Sequence, residues 1–327
     1  MQPAAERFWT ALEQHSGIAL SEGTRQLSYA ELRHEVAVRA SRLEALGVAR
    51  VALALDNGLE WALWDLALLR AGLVCVPLPG FFSPAQQAHV LEHAGIDCLI
   101  GATPAPIERS GFTAQEPGLY LRQPGAVTAV PPGTLKITYT SGTTGQPKGV
   151  CLDARAQLAV AESLWQASLP CAVEHHLCVL PLATLLENIA GLYAPLLAGA
   201  RVELRPLAEV GFSGAAGFDL PRFLGTLNES RPHSLILLPQ LLLALVSAAE
   251  QGLPLPPALR FIAVGGGRVA PQLLERAERL GLPVFEGYGL SECASVVCLN
   301  TPVARRIGTV GRALPHVELR LAEDGEV

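Results

Sequence analysis

Residues 138–150 read Thr-Tyr-Thr-Ser-Gly-Thr-Thr-Gly-Gln-Pro-Lys-Gly-Val. Glycine lets a backbone turn its N–H groups toward a ligand. Thr140, Ser141, Thr143 and Thr144 place hydroxyls around Gly142 and Gly145, and Lys148 adds a movable positive charge. Those residue types in one short run suit the cradling of a polyphosphate. The chain has two lysines, Lys136 and Lys148, against 22 arginines, so a lysine inside this loop sets the loop apart. A Walker A loop would carry Ser or Thr directly after its Gly-Lys pair; here Gly149 follows Lys148. The plainer reading is a flexible surface turn rich in small residues.

Two further runs could do chemistry. Phe261-Ile262-Ala263-Val264-Gly265-Gly266-Gly267 is an apolar strand ending in three glycines, which would let a flat ligand lie against the backbone. On its own it reads equally well as a turn before a helix. Glu286-Gly287-Tyr288-Gly289-Leu290-Ser291-Glu292 lies about 150 residues past the first motif. An aromatic ring between glycines can stack on a purine without crowding. A hydroxyl followed by a carboxylate suits a phosphate–magnesium corner, because Mg²⁺ takes oxygen ligands. The simpler alternative is a tight turn with Glu292 solvated.

These motifs must be positioned by regular elements, and the patterning supplies them. Ser28-Tyr29-Ala30-Glu31 predicts a capping box opening a helix to about Leu46, with a hairpin over Gly17–Leu27 before it. Strands are expected at 51–55, 73–78, 97–101, 135–139, 177–181, 201–204, 234–238, 260–264 and 284–287. Helices are expected at 60–71, from Ser83-Pro84, and at 154–166, 187–197, 220–229, 241–251 and 271–280. Ile107–Gly133 reads as a meandering connection and Gly211–Gly217 as a flexible joint. Strands alternating with helices imply a mostly parallel sheet. The fold class is therefore α/β, with two consecutive mostly parallel sheets flanked by helices.

Composition excludes several classes. At 327 residues and 50% hydrophobic, the chain can bury a large core. Mean hydropathy is +0.33, yet the longest greasy stretch, Leu235–Ala249, is interrupted by Pro239 and Gln240, too short for the roughly 20 apolar residues of a span. No transmembrane segment and no secretory signal pattern is expected, and a cytoplasmic location follows. Net charge is −6 with no basic block, which argues against nucleic acid as a partner. The seven cysteines are scattered without a Cys-x-x-Cys pair and read as reduced core residues. His175-His176 reads as an exposed loop pair rather than a metal site.

The phosphate loop and the Tyr288 run resemble those of the adenylate-forming (AMP-binding) enzymes: acyl-CoA synthetases, luciferases and peptide-synthetase adenylation domains. Ile307–Pro315 and Val317–Arg320 match as well, so the resemblance covers essentially the whole chain. It implies ATP-dependent activation of a carboxylic acid to an acyl-adenylate with release of pyrophosphate. A CoA or carrier-protein phosphopantetheine thiol would then accept the acyl group, which makes an acyl-carrier protein a candidate partner. Thr140, Ser141, Gly142, Thr143, Thr144, Gly145 and Lys148 would hold the phosphates. Gly265, Gly266 and Gly267 would form one wall of the adenine pocket. Tyr288, between Gly287 and Gly289, would stack on the adenine, Ser291 would contact the α-phosphate, and Glu292 would support Mg²⁺. Lys148, Thr144 and Glu292 are the residues expected to act on the reacting phosphates.

Departures are informative. Arg268-Val269 follow the glycines where the family usually has a small residue and Pro or Leu, and Ser291 stands where Thr is commoner. Thr184 occupies the place of a gating histidine or aromatic, so that role is not carried over. Thr184, Leu186 and Glu187 are expected around the acid. Leu185-Leu186 replace the Phe-Asp of amino-acid-activating members, which argues against an α-amino group on the substrate, and Glu187 reads best as a helix-start carboxylate.

The resemblance divides the chain into a first α/β part with the phosphate loop (1–165) and a second with the adenine and acid pocket (166–306). The start of a small β-barrel subdomain would follow (307–327). A mobile C-terminal domain with a second lysine is expected to be absent, which would leave this chain weak or inactive alone. Two alternatives stay open: a nucleotide-binding fragment without turnover, and an adenylate-former whose second step makes no thioester.

Overall fold

Two capping boxes show how locally this chain writes its elements. In the first, the Ser28 side chain accepts the Glu31 N–H while the Glu31 carboxylate takes the Ser28 N–H at 2.8 Å. The second pairs Ser83 with Gln86 in the same way, with Pro84 at the first helical position. The structure, a computed structural model, describes residues 3–101, 111–123, 125, 128–140, 146–213 and 217–325.

The chain opens with helix α1 (Pro3–Glu13) and a hairpin of β1 (Ile18–Glu22) and β2 (Arg25–Ser28). Then follow α2 (Tyr29–Leu46), β3 (Arg50–Ala54), α3 (Leu59–Ala71), β4 (Val74–Pro77), α4 (Pro84–His93) and β5 (Cys98–Gly101). Helix α3 is apolar almost all round, as a fully enclosed helix must be, and every residue from Leu59 to Leu69 except Glu60 is buried. Where weak patterning predicts a meander, β6 (Thr113–Glu116) and β7 (Leu119–Leu121) form a short edge hairpin. Its first strand is exposed throughout, so no apolar face announces it.

Next come β8 (Thr134–Thr140) and its antiparallel partner β9 (Lys148–Asp153), then α5 (Ala154–Ser168), capped by Asp153, whose carboxylate accepts the Ala156 N–H at 2.7 Å. Strand β10 (His175–Leu177) starts two residues before the expected strand and ends where that strand was to begin. The helix expected from Glu187 is a π-helical stretch, Leu186–Tyr193, that tightens into α6 (Ala194–Leu197). The chain continues through β11 (Arg201–Glu203), the two-residue strands β12 (Phe212–Ser213) and β13 (Gly217–Phe218), and α7 (Leu220–Ser230). It ends with β14 (Ser234–Leu237), α8 (Pro239–Glu250), β15 (Phe261–Val264), α9 (Pro271–Arg279), β16 (Val284–Leu290), β17 (Ser295–Leu299) and β18 (Arg312–Ala313). Past Ile307, β18 is the one strand among the described residues.

Two mostly parallel sheets result, as the alternation predicts. The first has the order β6-β7-β5-β3-β4-β8-β9, parallel from β5 to β8 with antiparallel edges. The second runs β18-β17-β16-β15-β14-β10-β11-β1-β2, parallel from β16 to β1. The early hairpin thus belongs to the second sheet, not the first, so the two are not strictly consecutive in the chain. Long-range contacts decide this: β1 pairs with β11 through Leu20 and Val202, and the Tyr29 hydroxyl donates to the Leu196 and Ala200 carbonyls. One apolar core, including Trp61, Leu164, Ile189 and Tyr193, runs through both halves.

A buried polar knot pins the halves together. Lys136, on β8, is 2% exposed, and its ammonium sits 2.7 Å from Asp65 of α3. It also donates to the Asn188 side-chain carbonyl on the π-helical stretch and lies 3.3 Å from the Tyr193 hydroxyl. Tyr193 and the Asn188 amide in turn donate to the other Asp65 oxygen at 2.6 and 3.0 Å. Burial and the Asp65 charge push the Tyr193 hydroxyl pKa well above its ordinary value.

Candidate active site

The parallel strands β14, β15 and β16 end side by side, with Leu237 opposite Val264 and Val264 opposite Glu286. Ligands of open α/β sheets bind in the crevice beyond such strand ends. Here a cavity of about 270 Å³ opens there, its mouth formed by Gly265, Gly266, Gly287, Tyr288, Gly289 and Ser291. Thr184, Leu185 and Leu186 form the facing wall. A Cβ on Gly265 would meet Gly287 O at 3.5 Å and so would occupy the mouth rather than the protein core. Gly289 is required for another reason. The β16–β17 register shifts between Tyr288 and Gly289, and a Cβ at Gly289 would lie 1.8 Å from the Ser295 carbonyl oxygen. That bulge sets the half-buried Tyr288 ring at the cavity edge.

Strand β16 then passes into a 3-10 turn, Ser291–Cys293, with Ser291 half-buried and Glu292 exposed. Ala294 (φ 57°) and Ser295 (φ 110°) follow in backbone regions that L residues rarely adopt. Such positions cost of order 1–3 kcal/mol each and cluster where a segment must be held in one shape. Glu286, one turn earlier, has its carboxyl pKa raised by burial, partly offset by the Val269 N–H and the Arg268 charge.

Strands β8 and β9 flank the run expected to hold phosphates. Thr140 ends β8, and Lys148 begins β9 directly opposite it, exposed. Ser141, Gly142, Thr143, Thr144 and Gly145 lie outside the described residues. The flanks are clamped by α4: His89 Nε2 meets the Pro147 carbonyl at 3.1 Å, and His93 Nδ1 meets the Tyr139 hydroxyl at 2.8 Å. The two imidazoles stack with centroids 5.2 Å apart, and burial pushes the Tyr139 hydroxyl up to about 12. Residues of β9 come within 8 Å, Cα to Cα, of the Ser291–Cys293 turn. The strand that begins at Lys148 and the turn that follows the Tyr288 run, about 150 residues apart in sequence, are therefore neighbours.

The cavity brings together Thr184, Leu186, Gly265, Gly266, Gly287, Tyr288, Gly289 and Ser291 of the residues singled out by sequence. Gly267 and Glu292 are exposed beside it, and Glu187 does not line it. Glu187 is fully buried behind the wall, where its carboxylate accepts the Leu180 N–H at 3.3 Å and stands 3.4 Å from His176 Nε2. His175-His176 is not an exposed loop pair: both sit on β10, and His176 is 2% exposed and lines the cavity. Its Nδ1 meets the Ser234 hydroxyl of the neighbouring strand at 2.9 Å. Sequence reading misses His176 and Ser234 because adjacent polar residues at a strand start look like loop. The Cys178 thiol completes a buried cluster with His176 and Glu187, all three ligating atoms lying within 4.8 Å of one another. The thiol already donates to Gly191 O at 3.5 Å, and burial and the Glu187 charge hold its pKa well above the usual range.

A two-sheet α/β fold whose parallel strands lead to a glycine-lined cavity edged by a Tyr-Gly-Leu-Ser corner defines the class to which the molecule belongs. The chain belongs to the AMP-binding enzyme family, whose model matches residues 8–327. Among curated relatives it is similar to a fatty acid–acyl-carrier-protein ligase of Mycobacterium marinum (29% identical, covering 93% of this chain and 61% of that protein). It is also similar to a 2-succinylbenzoate–CoA ligase of Enterococcus faecalis (27%, covering 84% and 56%). The chain thus spans about three-fifths of the length of the curated relatives it matches. The fold is shared with a benzoate CoA ligase from Burkholderia xenovorans (TM-score 0.79, 22% identity, 100% of this chain and 69% of that one). It is shared too with the O-succinylbenzoate coenzyme A synthetase of Bacillus subtilis, solved with ATP and magnesium ion (TM-score 0.77, 24% identity, 100% and 68%). Among the described residues no helix is long and apolar enough to cross a membrane.

Proposed function

We propose that this chain holds one ATP between the phosphate loop and the Tyr288–Glu292 corner and activates a carboxylic acid bound in the adjoining cavity. The supporting observation is that the strand led by Lys148 approaches the Ser291–Cys293 turn, whose Ser291 lines the apolar cavity. The acid carboxylate attacks the α-phosphorus, the bond to the β-phosphate oxygen breaks, and pyrophosphate leaves with the electron pair. The product is an acyl-adenylate. The residues do little covalent work; they orient the acid and offset charge.

Lys148 and the hydroxyls and N–H groups of Thr140–Gly145 would neutralise the β- and γ-phosphates. Ser291 would donate to the α-phosphate, and Tyr288 would stack on the adenine between its flanking glycines. The Glu292 carboxylate, exposed and without an ion-pair partner among the described residues, is a hard oxygen donor of the kind Mg²⁺ prefers. When bound there, magnesium would supply charge compensation for the departing pyrophosphate. Acyl transfer to a thiol of CoA or of a carrier-protein arm would follow in the whole protein, and the curated relatives include ligases of both kinds. Isotope exchange from pyrophosphate into ATP tests the reading. Glu292→Gln should lower exchange by about tenfold or more, and wild-type exchange in that variant would remove Glu292 from its role.

A further inference from the structure

The cavity proposed for the acid is mostly apolar, and Ser234 and His176 line it away from the nucleotide end. Its floor is the face of β14 and β15 that presents Ser234 and Ile236 beside Phe261, Ala263 and Gly265. Gly265 stands at the nucleotide end. Ser234, Phe261 and His176 share one register row at the opposite ends of the strands. Ser234 lies three registers below Leu237, the last residue of its strand, so the row lies about 10 Å from the mouth at ~3.3 Å per residue. A tail laid along the floor from the reacting carboxylate therefore ends at Ser234 and His176. Between them and the mouth the floor offers only apolar or small side chains.

The far end presents a hydroxyl with hydrogen-bonding capacity to spare. His176 and Glu187 are 2% and 0% exposed, and the Glu187 carboxyl, 3.4 Å from His176 Nε2, fixes the imidazole from behind. His176 Nδ1 meets Ser234 Oγ across 2.9 Å, and among the described residues the Ser234 hydroxyl has no other partner. A hydroxyl has one donor and two acceptor sites, so whichever way the proton of that contact lies, Ser234 keeps a site for a polar group in the cavity it lines. No lysine or arginine lines the cavity, so nothing there balances a second carboxylate.

We infer that Ser234, oriented by His176 and Glu187, reads a neutral oxo or hydroxy group at the far end of the acid. The substrate class is a monocarboxylic acid bearing an oxo or hydroxy group distant from the activated carboxylate. This rests on the acid cavity of the proposed function but not on turnover. Its test is direct: titration calorimetry of this chain, without ATP, with decanoate and with oxo and hydroxy analogues substituted at successive carbons. At one position the oxo or hydroxy acid should bind at least ~10-fold tighter than decanoate, because a hydrogen-bonding group left unpaired on binding is costly. Ser234→Ala should bring that ratio to within about twofold while decanoate binding holds, and Ser234→Thr should keep the preference.

Equal binding across the series overturns the inference, as does a preference that survives in Ser234→Ala. Stoichiometric zinc on the purified protein also overturns it, by turning the His176–Cys178–Glu187 cluster into a metal site. An intact oxo preference in a full-length protein that shows no pyrophosphate exchange with any acid would sink the adenylation reading and leave this one standing.

Discussion

Lys136 and Lys148 show two uses of a rare residue. Lys148 is exposed at the start of β9, free to meet a ligand. Lys136 is enclosed with Asp65, Asn188 and Tyr193, and the partners come from positions 52 to 71 residues away in the chain. A buried pair gives little stability over an apolar replacement, but removing one member strands the other charge. Lys136→Met should therefore cost about 3–5 kcal/mol in chemical denaturation, and Lys136→Met with Asp65→Leu should recover most of that loss. Equal destabilisation by the single and double variants would show that the knot works through shape rather than charge. The knot ties the strand before the glycine-rich run to the stretch that walls the cavity. It therefore acts on the same two segments that the proposed chemistry has to align.

At the level of elements, β10, β11 and α7 are joined by one carboxylate. Glu203 accepts from His175 at 2.9 Å, Arg205 at 2.7 Å and Ser230 at 2.8 Å. Burial works to raise its pKa, but these hydrogen bonds win and hold it down from 4.5 to about 2. A depressed folded-state pKa contributes stability that is complete above the unfolded value and is lost as pH falls through the folded one. Stability should therefore decline as pH drops from 4.5 toward 2, and Glu203→Gln should flatten that limb while lowering stability at neutral pH. Denaturation midpoints measured across this range check it; parallel slopes for both proteins would contradict it. Strand β10 also carries His176, which pairs with Ser234 of β14, so the cluster bears on the strand that holds that end of the cavity.

Across the whole molecule, what sequence reveals follows the range of the forces involved. The capping box at Ser28, the helix start at Ser83-Pro84 and the αβ alternation are local, and each appears where the residues predict it. The partner sheet of the β1–β2 hairpin, the Lys136 knot and the His176–Ser234 contact depend on chain segments far apart, and no local pattern encodes them. The π-helical stretch is a third case. Its apolar periodicity reads as an ordinary helix, while in the wider turn the chain packs closely at Gly191, where a Cβ would come 2.5 Å from the Glu187 carboxylate. The account stands on two distant motifs serving one nucleotide. Titration calorimetry of this chain with MgATP tests that most directly. It should give a single site per chain, weakened about tenfold or more by Lys148→Ala and likewise by Tyr288→Ala. An isotherm that responds to one of these changes and ignores the other would contradict it.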